Sequence, residues 1–82
     1  MVQITGISQL INFIKNSVST YEIVAALDSL SQANLSHGDV RYLLPVIYNL
    51  QSDLNFAYVD KNEIVEKINQ TYFRLASRIG CN

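Results

Sequence analysis

One proline and three glycines interrupt a chain of 82 residues, 49% of them hydrophobic. Breakers this scarce leave long continuous segments. Within those segments the apolar residues recur every three or four positions, which collects them on one side of a helix rather than alternating them across a strand. The chain is therefore constrained to an all-α fold.

Ile7, Leu10, Ile11, Ile14 and Val18 follow the i, i+3, i+4, i+7 pattern. They predict a first helix from about Ile7 to Ser17, entered at Thr5 or Gly6. Ser19 and Glu22 form an S-x-x-E capping box at the start of a second helix. In such a box the hydroxyl accepts from the N3 amide and the carboxylate reaches back to the cap amide. Ile23, Val24, Leu27 and Leu30 form the stripe of this helix, which is predicted to stop near Ala33.

Ser36 and Asp39 mark a third start, with the acid near the positive end of the helix dipole. Val40, Leu43, Leu44, Ile47, Leu50 and Leu54 carry its stripe. Pro45 leaves two readings open, because an interior proline removes one amide bond and crowds the preceding turn. One is a continuous helix kinked at Pro45, and this is preferred. The other is a single turn over Ser36 to Tyr42, then a helix opening at Pro45.

Asn55 to Val59 reads as a short connector containing Phe56 and Tyr58. Asp60 and Glu63 then cap a fourth helix lined by Ile64, Ile68, Tyr72, Leu75 and Ile79, with Val65 and Thr71 beside them. Glu63 and Lys67 are spaced for an i, i+4 ion pair. Arg74 and Arg78 fall near the negative C-terminal end, and Gly80 reads as the stop. Four helices with short connections imply antiparallel neighbours, and so an antiparallel up-and-down four-helix bundle forming a single domain over residues 1–82.

Six basic and seven acidic residues give a net charge of −1. That balance argues against a nucleic-acid binder and offers no polybasic attraction to anionic lipid. One cysteine, Cys81, cannot form an internal disulfide, which suits a reducing cytosol. The N-terminus lacks a basic region, and Lys15 interrupts the early apolar stretch, so no secretion signal is expected. No run approaches the roughly 20 apolar residues of a membrane span. A cytoplasmic location follows as the expectation.

The search for chemistry finds little. A nucleophile needs a base within reach and the base needs an orienting group. The single histidine, His37, lies in a polar Ser36-His37-Gly38-Asp39 loop, and Cys81 lies in the tail. They could pair only if the tail folded back; a solvated histidine and a tail thiol is the simpler reading. A structural zinc site takes about four Cys or His ligands, and the chain has two. Asn34 to Asp39 lacks the ligand spacing of a calcium loop, and no glycine-rich phosphate motif is present. The expectation is a non-enzymatic protein with no catalytic residue, metal or cofactor. Asp28-Ser29-Leu30 resembles the D-S-L signature of acyl carrier proteins. That resemblance would imply a serine at a helix start, whereas here Ser29 falls in the middle or latter half of a predicted helix. It stays a minor alternative.

Tyr21, Tyr42, Tyr48, Tyr58 and Tyr72 could form a binding face, since tyrosine is enriched at interfaces. Their ordinary role is at a core boundary, ring inward and hydroxyl wet. Tyr72 fits that role. Phe56 and Tyr58, in a short connector, would either cap the end of the bundle or form an exposed apolar spot.

Tyr42-Leu43-Leu44-Pro45-Val46-Ile47-Tyr48-Asn49-Leu50 resembles a helix of the immunity proteins that lactic-acid bacteria direct against their own class II bacteriocins. Related sequences carry a Y-L-P-x-I-x-x-N-L-like stretch there. It leads through a short connector into an I/L-rich last helix, as Ile64 to Ile79 does here. The resemblance spans roughly Val40 to Gly80. It implies a small cytosolic antiparallel four-helix bundle that protects a producing cell from a pore-forming peptide. It also implies a partner: the mannose-phosphotransferase membrane component that the bacteriocin uses as receptor, met from inside, with peripheral membrane association. Specificity would reside in the C-terminal part. The expected partner-binding residues are accordingly Phe56, Tyr58 and Asp60 at the third–fourth helix end, and Arg74 and Arg78, four apart on one side of the last helix. Dipole compensation and solubility are the plainer reading of the two arginines. The alternative function is a small helical protein–protein interaction module without enzymatic activity.

Overall fold

The computed structural model describes the backbone of residues 2–80 and the side chains of residues 7–80. It contains four helices: α1 (Val2–Asn16), α2 (Thr20–Gln32), α3 (His37–Asp53) and α4 (Lys61–Arg78). No strand occurs among the described residues. Cys81, and with it the Cys81–His37 pairing considered above, lies outside them.

α1 begins at Val2, five residues before the expected Ile7, and runs through Gly6. One interior glycine costs only about 1 kcal/mol relative to alanine, which does not end a helix. At its other end α1 closes at Asn16, where the Ser17 amide donates to the Ile14 carbonyl at 3.4 Å. The chain has then left the helix before Val18. Val18 was expected on the buried stripe; it is 67% exposed, because helical periodicity stops applying where the helix stops. Ile11 and Ile14 do enter the core.

Ser19 caps α2 as expected, its Oγ accepting from the Glu22 amide at 3.3 Å. The reciprocal half of the box is replaced by a relay through Ser17. The Ser19 amide donates to Ser17 Oγ at 3.3 Å, and that hydroxyl donates to Glu22 Oε1 at 3.2 Å. The full reciprocal box stands at α3: the Asp39 amide donates to Ser36 Oγ at 3.1 Å, and the Ser36 amide to Asp39 Oδ2 at 3.5 Å.

α3 is one helix through Pro45, which removes the reading in which a helix opens at that residue. Pro45 is exposed, and so is Arg41, whose carbonyl loses its i+4 donor. Water can satisfy a carbonyl on that side, whereas a proline on the buried face would have left it orphaned. α4 is capped by Asp60, whose Oδ1 accepts from the Glu63 amide at 3.2 Å. Past its end Gly80 takes φ +69, the left-handed conformation that stops a helix at little cost only for glycine.

The four helices form an all-α bundle in which α4 packs on α2 and α3, and α1 completes the ring against the same two. Chain direction alternates from helix to helix. The Asp60 amide donates to Thr20 Oγ1 at 2.9 Å, and Arg78 Nη1 donates to the Ser31 carbonyl at 3.3 Å. The start of α4 thus lies beside the start of α2, and its end beside the end of α2. These two neighbours run parallel. Antiparallel packing of consecutive helices holds for α1 with α2 and for α3 with α4. Consecutive α2 and α3 instead sit across a diagonal, with no close backbone approach among the described residues. The reason lies in α4, which has two usable sides. Lys67, Thr71 and Arg78 reach groups on α2, while Tyr72 meets Tyr48 of α3.

Leu27, Leu30, Leu43, Ile47, Leu50, Ile64, Ile68 and Leu75 form the fully buried centre. Thr71 is buried among them and donates its hydroxyl to the Leu27 carbonyl at 3.5 Å. Burying one such aliphatic side chain contributes roughly 1.5–3 kcal/mol. The stripes read from the sequence therefore account for the cohesion of the bundle.

Candidate functional site

The bond from the Asp60 amide to Thr20 Oγ1 joins the α1–α2 turn to the α3–α4 connector, so both lie at one end of the bundle. Three of the expected binding residues are here. The connector turns on Asn55, whose Oδ1 accepts from the Ala57 amide at 3.0 Å, and the Val59 amide donates to the Phe56 carbonyl at 3.5 Å. Phe56 and Tyr58, two residues apart in this turn, go opposite ways. Phe56 goes half-inward against the core, with Lys61 Nζ 5.6 Å from its ring centroid. Tyr58 goes outward and is 76% exposed. The two readings of this connector thus split: Phe56 caps the bundle, and Tyr58 is the exposed spot. Asp60 is exposed and engaged as the cap of α4.

Arg74 and Arg78 are at the other end of α4. At 1.5 Å per residue, they stand about 21 and 27 Å along the axis from Asp60. They share a side, as their spacing requires, and that side faces α2. Arg74 Nη1 lies 3.8 Å from Asp28 Oδ1, and Arg78 donates to the Ser31 carbonyl. Lys67 joins them, its Nζ 2.9 Å from Asp28 Oδ1. The i, i+4 pair expected between Glu63 and Lys67 is absent among the described residues. Lys67 takes the carboxylate across the interface instead, where its partly buried side chain is less screened by water. The five expected residues therefore do not form one surface. Phe56, Tyr58 and Asp60 belong to one end, and the two arginines brace α4 against α2.

At the first end the sequence places Val18 on the buried stripe and passes over Phe13, whereas Tyr21 is among the tyrosines of the candidate binding face. Val18 and Tyr21, 67% and 80% exposed, flank the Ser19 cap, and Phe13 is 47% exposed on α1 just before the turn. Phe13 and Val18 line one shallow depression of about 370 Å³ with Asn12, Asn16, Ser17 and Glu22. The signal was available for Val18: once Ser19 caps the next helix, the residue before it cannot belong to the stripe of α1.

Tyr72 is half-buried and meets Tyr48 edge-to-face, ring centroids 6.1 Å apart, as a boundary residue does. Ser29 is exposed inside α2, ten residues past its cap and not at a helix start, which weighs against the acyl-carrier resemblance. His37 opens α3 and is exposed. Among the described residues no group of three or more His, Cys, Asp or Glu is arranged to hold a metal ion. No helix there is long and apolar enough to cross a membrane. Compared with known proteins, the chain matches no family model, no curated protein and no solved structure.

Proposed function

We propose that this chain is a binding protein of the bacteriocin-immunity type, protecting a cell from a class II pore-forming peptide without catalysing a reaction. It would act in the cytoplasm, at a membrane receptor complex such as the mannose-phosphotransferase component with bacteriocin bound. The observation that carries the reading is the form taken by the Tyr42 to Leu50 stretch, on which the resemblance rests. It is the middle of one continuous helix, with Leu43, Leu44, Ile47 and Leu50 buried and Tyr42, Pro45 and Tyr48 exposed. The proline and tyrosines of the stretch are thus available to a partner, while its leucines hold α3 in the bundle. Expression of the chain in a bacteriocin-sensitive strain is expected to reduce killing by at least one member of a class II panel. Unchanged killing by every member, with the chain present and folded, would exclude this function.

A second reading, a small helical interaction module of another kind, is favoured by one observation. The exposed apolar residues Val18, Tyr21 and Tyr58 gather at the end joined by Thr20 and Asp60, outside the stretch that carries the resemblance.

A further inference from the structure

We propose that the end of the bundle built from the α1–α2 turn and the α3–α4 connector docks a basic protein segment carrying aliphatic or aromatic side chains between its lysines or arginines. The inference rests on exposure and charge at that end, and not on the immunity reading.

Exposure comes first. Val18, Tyr21 and Tyr58 each show two thirds or more of their surface at this end, and Val18 lines a shallow depression with Phe13 and Glu22. Isolated exposed apolar residues are ordinary, but a group at one end rimmed by polar residues marks an interaction site. Tyrosine suits the role. Its ring supplies contact area, its hydroxyl a hydrogen bond, and few rotatable bonds are frozen on binding. The platform is held in place beneath them: Ser17 links the Ser19 amide to the Glu22 carboxylate, and Thr20 holds Asp60.

Charge then selects the partner. Glu22, Asp53, Asp60 and Glu63 belong to this end, against Lys15 and Lys61. Both lysines are engaged within the fold. Lys15 Nζ lies 3.8 Å from Asp53 Oδ2, and Lys61 lies over the Phe56 ring. Among the described residues, Glu22, Asp60 and Glu63 have no basic side chain within 4 Å. An end that combines exposed apolar anchors with carboxylates lacking a cationic partner attracts a basic segment and repels an acidic one. A second copy of the chain is the weaker fit, because Arg74 and Arg78 at its opposite end are already held on α2, which leaves Arg41 as the cation there without an acidic partner among the described residues.

The test is an NMR titration of the isotope-labelled full chain. The probes are a synthetic amphipathic helix of lysine and leucine and its glutamate–leucine counterpart. The basic peptide is expected to shift amides of residues 13–23 and 56–63 and to lose affinity as salt is added. The acidic peptide is expected to shift none. The pair Val18→Ser and Tyr58→Ser should weaken binding by about tenfold or more, and Glu63→Gln should weaken it separately. All three positions are exposed, so far-ultraviolet circular dichroism should be unchanged. Shifts spread evenly over the whole bundle, binding untouched by these variants, or equal binding of the acidic peptide would each overturn the proposal. So would concentration-dependent shifts of the same amides without peptide, which would assign the surface to a second copy. A failed titration leaves the killing assay standing, and an unprotected strain leaves the titration standing.

Discussion

Lys67 Nζ lies 2.9 Å from Asp28 Oδ1, and this contact fastens the middle of α4 to α2 where the two helices run side by side in the same direction. Arg74 approaches the same oxygen at 3.8 Å. One carboxylate therefore serves two cations of α4, and its neighbour Ser31 receives a third through the backbone carbonyl.

Asp28→Asn should lower stability by about 1 kcal/mol. The pair is partly exposed, with side-chain accessibilities of 19% for Lys67 and 39% for Asp28, so its worth lies near that of a surface ion pair. Urea denaturation of Asp28→Asn, Lys67→Met and the double variant should give a coupling of about 0.5–1 kcal/mol. Strictly additive effects would mean that the contact contributes nothing to holding α4 on α2.

Ile14 and Val18 occupy equivalent positions in the apolar pattern but opposite surroundings in the fold. Ile14 is fully buried, so Ile14→Ala should cost about 2–5 kcal/mol. Val18→Ala should stay within about 0.5 kcal/mol, as exposed substitutions do. Thermal or chemical denaturation distinguishes the two directly. A large loss at Val18 would put it back in the core.

Pro45→Ala should stabilise the protein by about 1–3 kcal/mol. The new amide can donate to the Arg41 carbonyl and the crowding of the preceding turn disappears. Extra freedom in the unfolded chain offsets part of that gain. Because Pro45 is exposed, little packing is lost. A destabilised variant in equilibrium denaturation would show that the proline holds a bend on which the α3 packing depends.

Much of the fold was legible because its causes are local. The cap residues Ser19, Ser36 and Asp60, the stripes they open and the stop at Gly80 all act within a turn or two of their own position. The failures share one character. Gly6 and Val18 were assigned by pattern where the question was how far a helix extends, and boundaries depend on small free-energy differences. Lys67 was assigned to Glu63 along its own helix, but a better carboxylate was offered from α2. The two groups of expected binding residues, Phe56, Tyr58 and Asp60 at one end and Arg74 and Arg78 towards the other, follow from their spacing along the chain; that Val18 and Tyr21 join the first group depends on the bond between Asp60 and Thr20.

The sequence by itself determined that the chain is helical, how many helices it has, where most of them start and which face of each is apolar. Period and capping are properties of neighbouring residues. Only the tertiary structure decided which helices touch. A helix with an apolar face specifies that the face must be covered, not by what. α4 resolves this by presenting one side to α2 and another to α3, which carries the α2–α3 connection across the bundle and brings the Ser19 and Asp60 caps together. The exposed end where Val18, Tyr21 and Tyr58 meet the unpaired acids is a consequence of that choice.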